Sequence, residues 1–382
     1  MRIPYVMPLL ILGWITLLGA CVPKPAAAPL PDRFSMSLVG IESTAKSLWF
    51  TTSNFSSGGK LGRVDFKSGL IERSVLAIGA DTVIFADTSP GLENGLILLT
   101  RMGQDAVTIL RGARAEVVAH HPLPKMINPQ GAARDALGRV WVTSQGSNHV
   151  LVLSPDLKEE IASNIDLSSL QASTTPSARA DLAQIAPLNS THMVVSAQRL
   201  DRGVGTWKPQ PQSGLARINT ETLKVEFAGL VDATNPIQLA VHNEKVILAG
   251  AGDFSSPAGA RGKVATLGGP LFAIEAAREY GAKIIAADLE TRGAPATVIA
   301  WYADQKRSCI EVGTVQVVCD GNEQNQGYVF GAVRRSGRFI FVSYVALGAA
   351  ELWIIEIDSS QQLRALEKKT MDMPIQSMSF GP

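Results

Sequence analysis

Short apolar runs, each followed by small or polar residues, recur along the chain at nearly even intervals. Leu48-Trp49-Phe50-Thr51, Ile97-Leu98-Leu99-Thr100, Val140-Trp141-Val142-Thr143, Met193-Val194-Val195-Ser196, Val246-Ile247-Leu248-Ala249, Val298-Ile299-Ala300-Trp301 and Ile340-Phe341-Val342-Ser343 begin 42 to 53 residues apart. Apolar runs of this length, bounded by turn residues, read as buried strands. A second apolar strand and a polar turn precede each one, most clearly in Gly131 to Arg139, where Leu137-Gly138-Arg139 makes a tight return. A further strand and turn follow, as in Val64-Asp65-Phe66-Lys67-Ser68-Gly69, Leu151 to Asp156, Ala216 to Glu221 and Ile355 to Ser359. Four strands per repeat and seven repeats predict an all-β, seven-bladed β-propeller of four-stranded antiparallel blades. Blades bury both faces against their neighbours, so their strands read as apolar runs more than as clean alternation. Helical periodicity is nearly absent after residue 32. The helix-like windows are Leu157 to Ser169, Ala178 to Ile185 and Glu275 to Tyr280.

The N-terminus follows a different pattern. Met1-Arg2 leads an apolar run from Ile3 to Leu18, closed by Gly19-Ala20-Cys21. This order of charge, apolar run and small residues marks an export segment, and with the cysteine it resembles a bacterial lipoprotein signal. The resemblance implies cleavage before Cys21 and a lipid on its sulfur and new amine. Ile3 to Ala20, interrupted by Pro4 and Pro8, falls short of the ~20 apolar residues of a membrane span. Three segments result: a signal peptide over 1–20, the lipidated cysteine with a Pro/Ala-rich tether over 21–32, and the propeller over 33–382. Val22 stands where inner-membrane lipoproteins commonly carry aspartate. The same resemblance therefore implies an outer-membrane anchor on the periplasmic side, with surface exposure left open.

Lys+Arg 35 against Asp+Glu 34 leaves no basic footprint for nucleic acid. Of the three cysteines, the lipid would use Cys21. Cys309 and Cys319 flank an alternating segment with Gly313-Thr314 at its middle, and a hairpin centred on Thr314 would set them opposite one another, within reach of a disulfide. Two buried free thiols remain the alternative, since sequence does not set strand register.

Asn128-Pro129-Gln130-Gly131, running into Asp135, Gly138, Val140-Trp141-Val142 and Asn148-His149-Val150-Leu151-Val152, is similar to the repeat of NHL-type and YncE-like bacterial propellers. Asn235-Pro236-Ile237-Gln238 and Met373-Pro374-Ile375-Gln376 repeat its opening. The resemblance implies the fold far more than any function, because such propellers host enzymes, sensors and scaffolds alike. Ser37 to Ile41 and Pro374 to Phe380 both read as the innermost strand of blade one. The C-terminal segment is expected to close the ring, removing an unpaired seam, and the other to add at the edge.

Long insertions fall on one propeller face: Ile161 to Ala180 leading into blade four, Ala197 to Gly214 within blade four and Gly250 to Gly269 within blade five. Loops on a rigid scaffold are where binding is usually placed. The candidate binding residues are Gln145, Asn148, Arg199, Arg202, Trp207, Lys208, Asp253, Phe254, Arg261 and Lys263, on the loop face of blades three to five. None of His120, His121, His149, His192 and His242 lies in a metal-binding spacing, so no metal or cofactor is expected. His192 and His242 fall at strand turns, and His120 and His121 between blades two and three. An enzyme of the virginiamycin-lyase type would carry a catalytic histidine on the loop face, which makes His149 the weak catalytic candidate. Ser43-Thr44-Ala45-Lys46 and Lys67-Ser68-Gly69 imitate β-lactamase motifs outside the context those need. The expected function is a scaffold, assembly or ligand-binding role toward an envelope protein or small ligand, with the membrane engaged through the lipid. A lyase-like or lactonase-like enzyme working at the channel mouth is the alternative.

Overall fold

The computed structural model describes residues 32–35, 38, 41 and 46–381, apart from 55, 57, 88–94, 174–177, 203–206, 254–259, 290–295, 303–306, 314, 321–329 and 347–348. Seven four-stranded antiparallel sheets form the blades of a β-propeller. From blade two to blade seven the inner strands are Thr82–Asp87, Pro129–Arg134, Leu182–Asn189, Pro236–His242, Lys283–Asp288 and Phe330–Ser336. Each is followed in the same sheet by three strands stepping outward. Blade one is assembled from both ends of the chain: Ile375–Gly381 is its inner strand, paired with Ser47–Ser53, then Gly59–Asp65 and Ile71–Ile78. The C-terminal segment thus closes the ring as expected. Of the competing Ser37 to Ile41 segment, Leu38 and Ile41 are described. Leu38 is buried in the apolar cluster of blades one and seven, with Ile41 packed beside it, while Arg33 bridges Leu70 at the blade margin.

All seven apolar runs of the repeat lie in second strands, where most residues are buried. Trp49, Phe50, Ile97, Leu99, Trp141, Val194, Val195, Leu248, Ile299, Ile340 and Phe341 are shut off from water. Apolar clusters join strands of neighbouring blades, as where Trp141 and Val150 of blade three pack with Leu182 and Val195 of blade four. The turns after the second and fourth strands lie at one end of the ring, called here the upper face. Those after the first and third strands lie at the lower.

Lower turns are built by local side-chain hydrogen bonds. Asp135 Oδ1 accepts from the backbone N–H of Leu137 and Arg139, each at 3.0 Å, and Gly138 takes the positive φ the return needs. Between third and fourth strands, Asp65, Asn219 and Asp358 accept backbone N–H groups two or three residues on. At Asp156, a hydrogen bond from the Ser154 hydroxyl and others from Lys158 hold the carboxyl down at about 2.

The three helix-like windows are corrected. Glu160–Asp166 and Ala273–Glu279 are fourth strands and Leu182–Asn189 is an inner strand, leaving one 3-10 turn at Ser168–Leu170. In the fourth strands most residues are exposed, so their composition is not shaped by burial. Pairing with the third strand decides the conformation, overriding propensity.

Cys309 and Cys319 form a disulfide with Cα atoms 4.1 Å apart. The register is instructive. Val312 pairs with Val315 and Glu311 with Gln316, and a bulge then shifts the ladder so that Ile310 meets Val318 and Cys309 meets Cys319. The two cysteines oppose one another because a two-residue turn and a bulge combine. Thr314 itself lies outside the described residues.

Candidate functional site at the upper face of blades two to five

One local device repeats where inner strands begin on the upper face. The residue before the strand returns its carbonyl to the N–H just past the second strand: Asp81 to Arg101, Asn128 to Gln145, Asp181 to Gln198 and Asn235 to Ala251. Asn128, Asp181 and Asn235 take φ of 51°, 53° and 55°, a conformation that Asn and Asp tolerate better than most residues. Polar side chains are thereby set around the channel mouth at equivalent places in successive blades. Six of the seven inner strands also carry a register shift against the second strand, blade two being the exception. Such bulges re-aim side chains at barrel and ring mouths.

The side chains connect into a belt across four blades. Arg101 pairs with Asp81 and donates Nη1 to Gln130 Oε1 at 3.2 Å. Gln130 Nε2 donates to the Asn128 carbonyl at 3.3 Å, and Asn128 Nδ2 to Gln145 Oε1 at 2.8 Å. Gln145 Nε2 donates to Gln198 Oε1 at 2.6 Å, and Gln198 Nε2 to the Pro236 carbonyl at 3.5 Å. The belt therefore runs in one hydrogen-bonding direction from blade two to blade five.

A hairpin stands beside it. Leu200–Asp201 pairs with Lys208–Pro209, and its base is fixed by the buried Asp181. Asp181 Oδ2 accepts from the Leu200 N–H at 2.9 Å, and Oδ1 accepts from Arg202. Burial raises the Asp181 pKa, with Arg202 opposing the rise. The Arg202 guanidinium also donates to the Gln145 carbonyl at 3.1 Å and lies 4.4 Å from the Trp207 ring centroid. Trp207 is 45% exposed and the one exposed tryptophan among the described residues.

Of the sequence candidates, Gln145, Arg202, Trp207 and Lys208 lie on this face, and the structure brings the first three together. Lys208 reaches Asp253 at 4.0 Å. Asn148 Oδ1 instead accepts the Ala180 N–H at 2.8 Å, folding the chain into blade four. Arg199 donates to the carbonyls of Leu170 and Gln212, and burial lowers its pKa. It holds the loop together. Lys263 belongs to the third strand of blade five. Burial works to lower its pKa, but hydrogen bonds to Asp232 and Glu279 outweigh that and raise it. Arg261 is exposed, and Phe254 lies outside the described residues.

His149 begins a third strand opposite Asp166, its Nδ1 3.9 Å from that carboxylate, with both side chains about half exposed. His120 and His121 lie in the outer strand Glu116–Pro122 of blade two, against the Thr108 hydroxyl and the Leu157 carbonyl. His192 contacts Glu226 at 2.9 Å and His242 contacts Asn243. Among the described residues no group of three or more His, Cys, Asp or Glu is arranged to hold a metal.

Asp81, Arg101, Asp181 and Gln198 were missed. The signal was present as an Asp or Asn before each of four inner strands, visible once the repeats are stacked. Met102 and Met126 were missed as well: they are 72% and 76% exposed at positive φ on this same face. Asp105 raises the loop that carries Met126, its carboxylate accepting the N–H groups of Met126 and Asn128.

No protein-family model and no curated protein sequence matches the chain. Its fold is similar to that of apo AztD from Citrobacter koseri, with TM-score 0.54 and 11% identity over 89% of this chain and 99% of that one. It is similar also to dihydro-heme d1 dehydrogenase NirN in complex with DHE, at 0.51 and 12%, covering 94% and 79%. A catalytically inactive virginiamycin B lyase from Staphylococcus aureus with quinupristin gives 0.50 and 9%, covering 79% and 93%. At such identities the likeness establishes the propeller fold alone.

Proposed function

We propose that this protein is a lipid-anchored binding propeller of the bacterial envelope. Cys21 carries the lipid, the tether sets the ring on the periplasmic side of the outer membrane, and the upper face of blades two to five engages an envelope component. One observation carries the binding reading. Met102, Met126 and Trp207 expose their apolar side chains from left-handed backbone positions on the face that also holds the amide belt. Exposed apolar side chains around a fixed polar centre are the arrangement of a binding patch. The Cys309–Cys319 disulfide suits an oxidising compartment, which supports the export reading.

The test is co-purification from detergent-solubilised envelope with the lipidated protein and with a Met126→Ser, Trp207→Ala variant. A partner recovered with the parent and lost with the variant, at unchanged melting temperature, supports the reading. Equal recovery with both would remove the upper face from consideration.

A further inference from the structure

We infer that the upper-face site recognises a neutral saccharide, its hydroxyls seated on the amide belt at Gln145 and Gln198 and one sugar ring resting against Trp207. The inference rests on the reading of this face as the binding face and specifies the chemistry of what it takes.

The belt leaves part of its hydrogen-bonding capacity unused. A side-chain amide nitrogen carries two N–H groups. Gln130, Asn128, Gln145 and Gln198 each spend one of them on the next member. All four side chains are half-buried, so the second N–H of each remains to be satisfied at the mouth. Four further buried atoms of the same upper-face residues have no hydrogen-bond partner: the Nε–H donors of Arg101 and Arg202, and the Oδ1 acceptors of Asn128 and Asn235. Asn235 is itself 6% exposed. Buried polar atoms without partners are uncommon and call for an explanation.

The unpartnered atoms on this face include both donors and acceptors, and that limits the ligand. A carboxylate or phosphate only accepts, so it would leave the asparagine oxygens unmatched. A hydroxyl both donates and accepts. The charges agree with this, since Arg101 faces Asp81 and Arg202 faces Asp181, leaving neither guanidinium free to attract an anion. The aromatic supplies the remaining feature. Trp207, fixed by Arg202 at the edge of the belt, presents a large apolar surface to solvent beside a polar floor. A pyranose matches that pairing, with C–H groups on its faces and hydroxyls at its rim. A peptide offers carbonyls and N–H groups spaced along an extended line, a poorer match to acceptors and donors clustered at one mouth.

Isothermal titration of the detergent-solubilised, full-length protein with chitotriose, maltotriose and mannotriose tests the inference, with glucose 1-phosphate and a capped uncharged hexapeptide as comparison ligands. Saturable binding of at least one trisaccharide is expected. Gln198→Met, which keeps the side chain's length and removes its amide, and Trp207→Ala should each weaken it about tenfold. Trp207→Phe should restore most of the loss, and unchanged melting temperatures show that the ring is intact. Absence of binding by all three trisaccharides, equal binding by the variants, or preference for the phosphate or the hexapeptide overturns the inference. If an envelope partner is nonetheless lost on Met126→Ser, Trp207→Ala, the binding face stands and only its ligand chemistry is wrong. If neither saccharide nor partner depends on these residues, both fall.

Discussion

Arg134 Nε donates to Asp87 Oδ1 at 2.8 Å, and both side chains are all but sealed from water although they belong to different blades. Each stands at the lower end of its inner strand, so the pair ties blade two to blade three beneath the channel. Arg111 approaches the other carboxylate oxygen at 2.7 Å, and Arg134 also donates to the carbonyls of Gly138 and Pro155. Removing one partner of such a pair leaves a buried charge without its counterpart. Asp87→Ala is therefore expected to cost about 3–5 kcal/mol, read as a lower midpoint in urea. Adding Arg134→Met should recover much of the loss, because an apolar replacement removes the stranded charge. A single variant as stable as the parent would contradict this account.

Asp372 precedes the closing strand and accepts from Arg73 at 3.0 Å and Lys60 at 3.3 Å, both in blade one. The hydrogen bond from Arg73 holds its pKa below the usual carboxylate value. A carboxyl with a depressed folded pKa adds stability above its unfolded value of about 4 and loses it as pH falls through the folded one. Asp372→Asn should lower stability at pH 7 by less than ~1 kcal/mol, since the side chain is half exposed and screened. The gap from the parent should narrow between pH 5 and pH 3 in thermal melts. A gap that widens on acidification would assign the closure a different origin.

Cys309→Ser with Cys319→Ser should cost about 2–3 kcal/mol if the disulfide acts by restricting the unfolded chain. In the parent, thiol titration of unfolded, unreduced protein should find neither cysteine free. Two titratable thiols would show that the bond does not form in the mature protein.

Cys21→Ser should leave the precursor uncleaved or mislocalised, because the thiol is the acyl acceptor at the proposed cut. Metabolic labelling with a fatty acid reads this directly. Label on the serine variant would remove the lipoprotein assignment.

Much of the fold was legible because its determinants are local. The second strand of every blade is enclosed on both sides, so selection for burial leaves an apolar run such as Val140-Trp141-Val142 that no surface requirement interrupts. The turn at Asp135 and Gly138 is made by residues within five positions of one another. Fourth strands were read poorly because they face solvent. In Ala273–Glu279 nearly every residue is exposed, and an alanine- and glutamate-rich segment held by a neighbour's ladder resembles a helix to any local reading.

By itself, then, the sequence determined the class and the number of blades, since both follow from patterns that repeat from blade to blade. Only the tertiary structure decided the rest. Which end supplies the inner strand of blade one depends on hydrogen-bonded strands, about 4.8 Å apart, that come from opposite ends of the chain and share no local window, and is settled by the ladder from Ser47 opposite Gly381 to Thr52 opposite Ile375. The cysteine register depends on a single bulge. The belt from Arg101 to Gln198 joins residues from successive repeats that are strangers in sequence, and it exists because ring closure brings equivalent positions of neighbouring blades to one channel mouth.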